Sequence, residues 1–349
     1  MEQHMNMTVK ISVLAIAMAS AAAQAQPAMP AKAAPDMQKV LDALASLGGK
    51  PIDTLTPEEA RKQPTPADAV KKVLLQMGKS SAPEAGVTVK DMQISGPLGE
   101  FPIHVFTPEG KGPFPLMVYY HGGGFVIADT KTYEASPRAL AKMAQAIIVA
   151  VDYHRAPEHK FPAAPNDAYA AYTWTLQHAR DINGDPSRVA VGGESAGGNL
   201  ATVVSMMARD KKAPMPVHQL LVYPVVNDDM NTPSYLANAA AKPLNKPMMA
   251  WFFKHYGGDP KNPYALPMKA ATLRGLPPAT VIAAEIDPLT SEGKAYADRL
   301  KKDGVSVWYK EYKGVAHEFF GMGAVVQGAR EAEHDAAQAL RSAFGEPKK

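Results

Sequence analysis

A serine set between glycines, Gly193-Glu194-Ser195-Ala196-Gly197, is the first place in this chain where chemistry is legible. A serine hydroxyl is a weak nucleophile until a base takes its proton, and the base must in turn be oriented by a carboxylate. Between Ser195 and the C-terminus the histidines are His218, His255, His317 and His334. His317 lies in "KGVAHEFFGM", just past a strand-like run; His218 opens a strand, His255 sits in a Trp/Phe-rich helical segment and His334 in a polar one. Position selects His317 as the base. Asp287 directly follows "ATVIAAEI" and is the favoured acid, with Asp228 and Asp229 in "VVNDDM" as competitors. Ser195, Asp287 and His317 then stand in the chain order serine, acid, histidine.

The attacked carbonyl also needs donors aimed at its developing negative charge. "MVYYHGGGFVIAD" (117–129) offers them, because Gly122, Gly123 and Gly124 let backbone N–H groups face the site with no side chain in the way. His121, just before them, reads as a structural hydrogen bonder rather than a second base.

These residues need a scaffold, and the apolar pattern supplies one. "VTVKDMQI" (87–94) and "FPIHVFTP" (101–108) read as an antiparallel strand pair. Six apolar runs follow at 115–120, 146–153, 188–193, 219–224, 279–285 and 305–312, separated by helix-length segments. Continuous apolar strands alternating with helices imply a mostly parallel sheet of eight strands covered on both faces. Ligands bind beyond the C-terminal strand ends in such sheets, and each candidate residue falls at one. Upstream, "MQKVLDALASLGG" (37–49) and "TPADAVKKVLLQM" (65–77) have helical spacing, separated by the turn-rich "KPIDTLTPEEARKQP" (50–64).

Composition bounds the alternatives. The 349 residues are 46% hydrophobic and 20% charged, with a net charge of +3 and no dense basic block, which gives no electrostatic case for nucleic acid. The absence of cysteine excludes disulfides, thiolate metal sites and cysteine nucleophiles. Lys10, the apolar run 11–19 and Ala23-Gln24-Ala25 read as a signal peptide over residues 1–25. The run is too short to span a membrane, so the mature chain is expected to be exported, periplasmic or secreted, without stable membrane insertion.

With these pieces placed, residues 85–349 resemble the bacterial hormone-sensitive-lipase-like (family IV) carboxylesterases of the α/β-hydrolase superfamily. His121–Gly124 matches the family's H-G-G-G motif, and Gly193–Gly198 its nucleophile elbow. Asp287–Gly293 matches its D-P-L-x-D-E-G segment, and His317–Phe319 its H-G-F segment. "DYHRAPEHKFPAAPND" (152–167) is similar to a further family stretch. The resemblance implies an α/β-hydrolase fold and a catalytic triad of Ser195, Asp287 and His317. It also implies oxyanion donors at the backbones of Gly123, Gly124 and Ala196, and a helical cap. That cap would comprise the N-terminal segment 26–84 and an insertion near 228–258 that includes "MMAWFF". Glu194, Ser291 and Glu318 depart from the family's Asp, Asp and Gly, and His154-Arg155 from its Arg-Leu.

The expected reaction is hydrolysis of small carboxylic esters of short to medium acyl chain through an acyl-enzyme, a route that requires no metal or organic cofactor. An amidase or deacetylase would use the same apparatus, and a surface lipase would want an exposed apolar mouth. A non-catalytic small-molecule binder on this fold is disfavoured by the intact base.

Overall fold

The computed structural model describes residues 31–345; the expected leader, 1–25, lies outside them. One sheet of eight strands runs through the molecule in the order β1-β2-β4-β3-β5-β6-β7-β8. Strands β1 (Val87–Gly96) and β2 (Gly99–Pro108) form the expected antiparallel pair, and β2 is also antiparallel to β4 (Ile147–Val151). The neighbours β4, β3 (Phe114–Tyr120), β5 (Gly184–Glu194), β6 (Gln219–Val222), β7 (Ala279–Ile286) and β8 (Val307–Ala316) are all parallel.

The inner parallel strands are apolar on both faces because both faces are covered. Along β3, Leu116, Val118 and Tyr120 enter one core layer while Met117 and Tyr119 enter the other. The first layer is closed by α5 (Ala163–His178), α6 (Ala196–Asp210) and α9 (Thr290–Lys302), through side chains such as Ala168, Leu200 and Tyr296. The second is closed by α4 (Ala135–Ala144) and α10 (Gln327–Phe344), through Leu140, Ala336 and Leu340.

The expected N-terminal helices form as α1 (Pro35–Ala45) and α3 (Pro66–Gln76), the latter opened by a reciprocal Thr65/Asp68 capping box. The stretch read as turn-rich also contains a short helix, α2 (Pro57–Ala60), opened by a second box between Thr56 and Glu59. Arg61 ends α2 and ties it down, donating to the carbonyls of Val126 (2.9 Å) and Ala156 (2.9 Å) and to both oxygens of Glu158 (2.8 and 2.7 Å). Between β6 and β7, α7 (Pro233–Ala237) and α8 (Lys246–Tyr256) form a separate apolar cluster with Ala60 and Val126. Trp251 Nε1 of α8 reaches across to the Leu55 carbonyl at 3.0 Å. The N-terminal segment and the β6–β7 insertion therefore cover the same strand ends. No helix among the described residues is long and apolar enough to cross a membrane.

Candidate active site

Strand β5 ends at Glu194 and α6 begins at Ala196, leaving Ser195 alone in the turn. Its backbone is forced to φ +57°, ψ −115°, a region costly for a residue with a side chain. The flanking glycines are explained by close approach. A Cβ on Gly197 would stand 1.8 Å from the Tyr120 carbonyl oxygen, and one on Gly193 would stand 2.4 Å from the same atom. Strand, turn and helix can meet here only without those side chains, and the meeting presents Ser195 at the positive end of α6.

The other groups arrive by register. Ile286 of β7 pairs with Ala316 of β8, so the next residue on each strand, Asp287 and His317, emerges beside the other. Strand β8 runs four residues past the apolar run seen in the sequence, beyond a shift in pairing between Ala284 and Ile286, and this extension delivers His317 to the rim. His317 Nδ1 lies 2.6 Å from Asp287 Oδ2, and its Nε2 lies 3.1 Å from Ser195 Oγ. The other Asp287 oxygen accepts the Leu289 N–H at 2.8 Å, which fixes the carboxylate's plane. Ser195, Asp287 and His317 are all buried. Burial works against the His317 imidazolium, but the charge and hydrogen bond of Asp287, together with the nearby Glu318 and Glu194 carboxyls, outweigh it and the pKa rises.

On the other side, Tyr120 of β3 pairs with Gly193 of β5, so the loop after β3 lies against the serine turn. Gly123 and Gly124 have φ +92° and +58°. A Cβ on Gly123 would meet the Ile127 carbonyl oxygen at 2.2 Å, and one on Gly124 the Phe252 ring at 2.2 Å. Among the described residues, no protein acceptor takes the N–H of Gly123, Gly124 or Ala196. Such uncommitted N–H groups beside the serine are what an oxyanion requires. The cavity above them is about 440 Å³, with Leu44 and Ile52 from the N-terminal segment and Leu244, Met248 and Phe252 from the β6–β7 insertion among its walls.

The remaining candidates are placed elsewhere. His218 is buried against Thr280 Oγ1 at 2.9 Å, and burial lowers its pKa to about 4. His255 packs on Trp251, and His334 is exposed on α10. Asp228 pairs with Lys269 at 3.0 Å and Asp229 accepts the Asn231 N–H at 2.9 Å, so neither contacts His317. His121 donates from Nδ1 to the Gly122 carbonyl at 2.7 Å and stacks on Tyr153 at 4.3 Å, the structural role expected of it.

The departures from the family pattern have local partners. Glu194 is fully buried between the hydroxyls of Tyr119 (2.5 Å) and Tyr223, and burial raises its carboxyl to about 8 despite those hydrogen bonds. Tyr223 also packs its ring 4.4 Å from the His317 ring. Ser291 Oγ accepts the Ser234 N–H at 3.1 Å, tying α7 to the first turn of α9. His154 Nδ1 lies 2.7 Å from Asp167, and Arg155 donates to the Ala128 carbonyl. Glu318 lines the cavity, with Oε1 3.8 Å from His317 Nε2 and both oxygens 2.6 Å from the Tyr133 hydroxyl. The sequence reading missed Tyr133, Tyr119 and Tyr223; nothing local marks a phenol that reaches a carboxylate on another strand or loop.

Comparison with known proteins agrees with this geometry. A family model described as alpha/beta hydrolase fold matches residues 117–321. The chain is 39% identical over 269 residues to the carboxylic ester hydrolase LipN of Mycobacterium tuberculosis, covering 74% of this chain and 72% of that one. It is 40% identical over 260 residues to the esterase LipI of the same organism, covering 72% and 81%. A solved esterase of Pyrobaculum calidifontis superposes with a TM-score of 0.79 at 36% identity, covering 89% of this chain and 98% of its own. The chain belongs to the α/β-hydrolase family, in its hormone-sensitive-lipase-like branch.

Proposed function

We propose that this chain hydrolyses carboxylic esters of short to medium acyl chain through an acyl-enzyme on Ser195. It is a carboxylic ester hydrolase, as its relatives' names and its membership of the family support. The observation that carries the mechanism is the continuous relay from Asp287 through His317 to Ser195, opening into a cavity flanked by uncommitted glycine N–H groups.

His317 Nε2 takes the hydroxyl proton as Ser195 Oγ attacks the ester carbonyl, and Asp287 stabilises the imidazolium that forms. The N–H groups of Gly123, Gly124 and Ala196 donate to the tetrahedral oxyanion. Nε2 then protonates the departing alkoxide, and a water repeats the sequence to release the acid and free the serine. Two observations support short to medium chains. The cavity's ~440 Å³ sits low in the ~300–1,000 Å³ range of small-molecule sites, and its walls come from both covering segments.

Nitrophenyl esters from acetate to laurate, given to the full chain and to Ser195→Ala, test the reading. Serine-dependent turnover that falls with chain length is expected; a folded protein inert on the whole series would overturn it. Export is part of the same proposal, supported by Lys10, the apolar run 11–19 and Ala23-Gln24-Ala25. Mass spectrometry of the protein recovered outside the cytoplasm should find it beginning at Gln26, and a chain retained whole inside the cell refutes export.

A further inference from the structure

Glu318 has no task in the relay, yet among the described residues its carboxyl is the only one besides that of Asp287 within 4.0 Å of a His317 ring nitrogen, and it stands on the side of the reacting Nε2. Its Oε1 is 3.8 Å from His317 Nε2, the atom that lies 3.1 Å from Ser195 Oγ. The Tyr133 hydroxyl, 2.6 Å from both carboxyl oxygens, holds the group in place. Tyr133 is itself buried against the glycine loop, where a Cβ on Gly122 would meet its hydroxyl at 2.3 Å. The Glu318 backbone has φ +68°, a conformation that glycine takes without cost, so this side chain is held at the site against a backbone preference.

Nε2 must pass its proton to the leaving oxygen, which therefore comes within about 3 Å of it during acylation. A carboxyl 3.8 Å from that nitrogen faces the first carbons of the departing alcohol. An apolar alcohol would cover Glu318 and leave its carboxyl with the Tyr133 hydroxyl but no counter-charge, a penalty that a matched substrate avoids. The other charged side chains on the cavity wall are engaged elsewhere or exposed. Arg61 is bound to Glu158 and two carbonyls, Arg155 to the Ala128 carbonyl, and Asp129 to Thr132, while Lys50 and Lys242 are exposed.

We propose that Glu318 forms a subsite on the alcohol side of the scissile bond, selecting esters whose leaving alcohol carries a positively charged nitrogen on its second carbon. The proposal rests on the esterase reading of the site. Burial raises the Glu318 carboxyl while the neighbouring His317 imidazolium lowers it, with burial prevailing; a bound cation restores the ionised form.

The test uses two acetates of nearly equal shape, 2-(trimethylammonio)ethyl acetate and its uncharged counterpart 3,3-dimethylbutyl acetate, on the full chain. Taking the ratio of their kcat/KM values cancels any effect of a substitution on His317 itself. The wild-type ratio should favour the cation about tenfold or more. Glu318→Gln should bring it close to unity, and Tyr133→Phe, which frees the carboxyl, should bring it partway. Equal rates on the two esters in the wild type, or a preference that survives Glu318→Gln, would overturn the subsite. Should Glu318→Gln not fold, the wild-type ratio and Tyr133→Phe decide by the same criteria. Hydrolysis of 4-nitrophenyl acetate, run alongside, separates the two readings. If that ester is inert the esterase reading fails, and if it turns over without cation preference only the subsite does.

Discussion

Asp287 Oδ2 and His317 Nδ1 stand 2.6 Å apart, both buried, each one residue past the paired ends of neighbouring parallel strands. The pair sets the tautomer, keeping the proton on Nδ1 and the Nε2 lone pair toward Ser195. Asp287→Asn should lower kcat by roughly 10³–10⁴-fold, whereas Asp228→Asn and Asp229→Asn, whose carboxylates face Lys269 and the Asn231 N–H, should change it by less than about twofold. The neutral imidazole is the active base, so activity falls as pH drops through the folded-state pKa. Since that pKa is raised above 6.5, the acid limb of kcat/KM should sit above 6.5 in the wild type and move to lower pH in Asp287→Asn. A limb that stays put would assign the shift to other groups.

Ser195 combines a chemical role with backbone strain, and two substitutions separate them. Ser195→Ala should remove turnover by about four orders of magnitude or more while keeping the strained φ of +57°. Ser195→Gly should be equally inactive but more stable than Ser195→Ala by about 1 kcal/mol, the relief of strain exceeding glycine's entropic cost. Denaturant midpoints with equal slopes would measure this, and identical midpoints would mean that the turn stores no strain.

Glu194 links the nucleophile turn to global stability. Its carboxyl is raised from 4.5 to about 8 by burial, so the folded state holds a proton that the unfolded chain releases. The resulting stabilisation is fully present below about pH 4.5 and is lost as pH rises through about 8. Unfolding free energy should therefore decline across this window, and Glu194→Gln should flatten the decline. An unchanged slope in the variant would mean that Glu194 is ionised in the native protein.

Gly124 meets α8 directly, since any Cβ there would strike the Phe252 ring at 2.2 Å. Gly124→Ala should displace either α8 or the glycine loop and lower kcat/KM by about 10²-fold or more, the scale of losing one oxyanion donor. Adding Phe252→Ala removes the clash but leaves φ at +58°, so partial rescue is expected. Full rescue would show that space alone, and not conformation, requires the glycine.

What the sequence determined by itself follows from burial and covalent geometry. Strands covered on both faces are rich in apolar residues, so the six parallel strands were legible as runs, and β1 and β2 as a neighbouring strand pair. The glycines around Ser195 mark a turn in which backbones touch, a constraint carried by residue type alone. The histidine and acid were selected because each falls just past a strand, and β8 shows the limit of that signal. Its last residues include Lys313 and Gly314, so the apolar run stops short of Ala316.

Only the tertiary structure decided the rest, because each of these features depends on which distant backbones become neighbours. The pairing of Ile286 with Ala316 joins Asp287 to His317 and leaves Asp228 and Asp229 outside. The Tyr133 hydroxyl, 185 positions away in the chain, turns Glu318 toward the reacting nitrogen. The Arg61 guanidinium anchors α2 to the loop after β3, a contact that no local pattern announces. Periodicity reports which face of an element is buried; the partner on that face is set by sheet order and register, which arise only when the whole chain has packed.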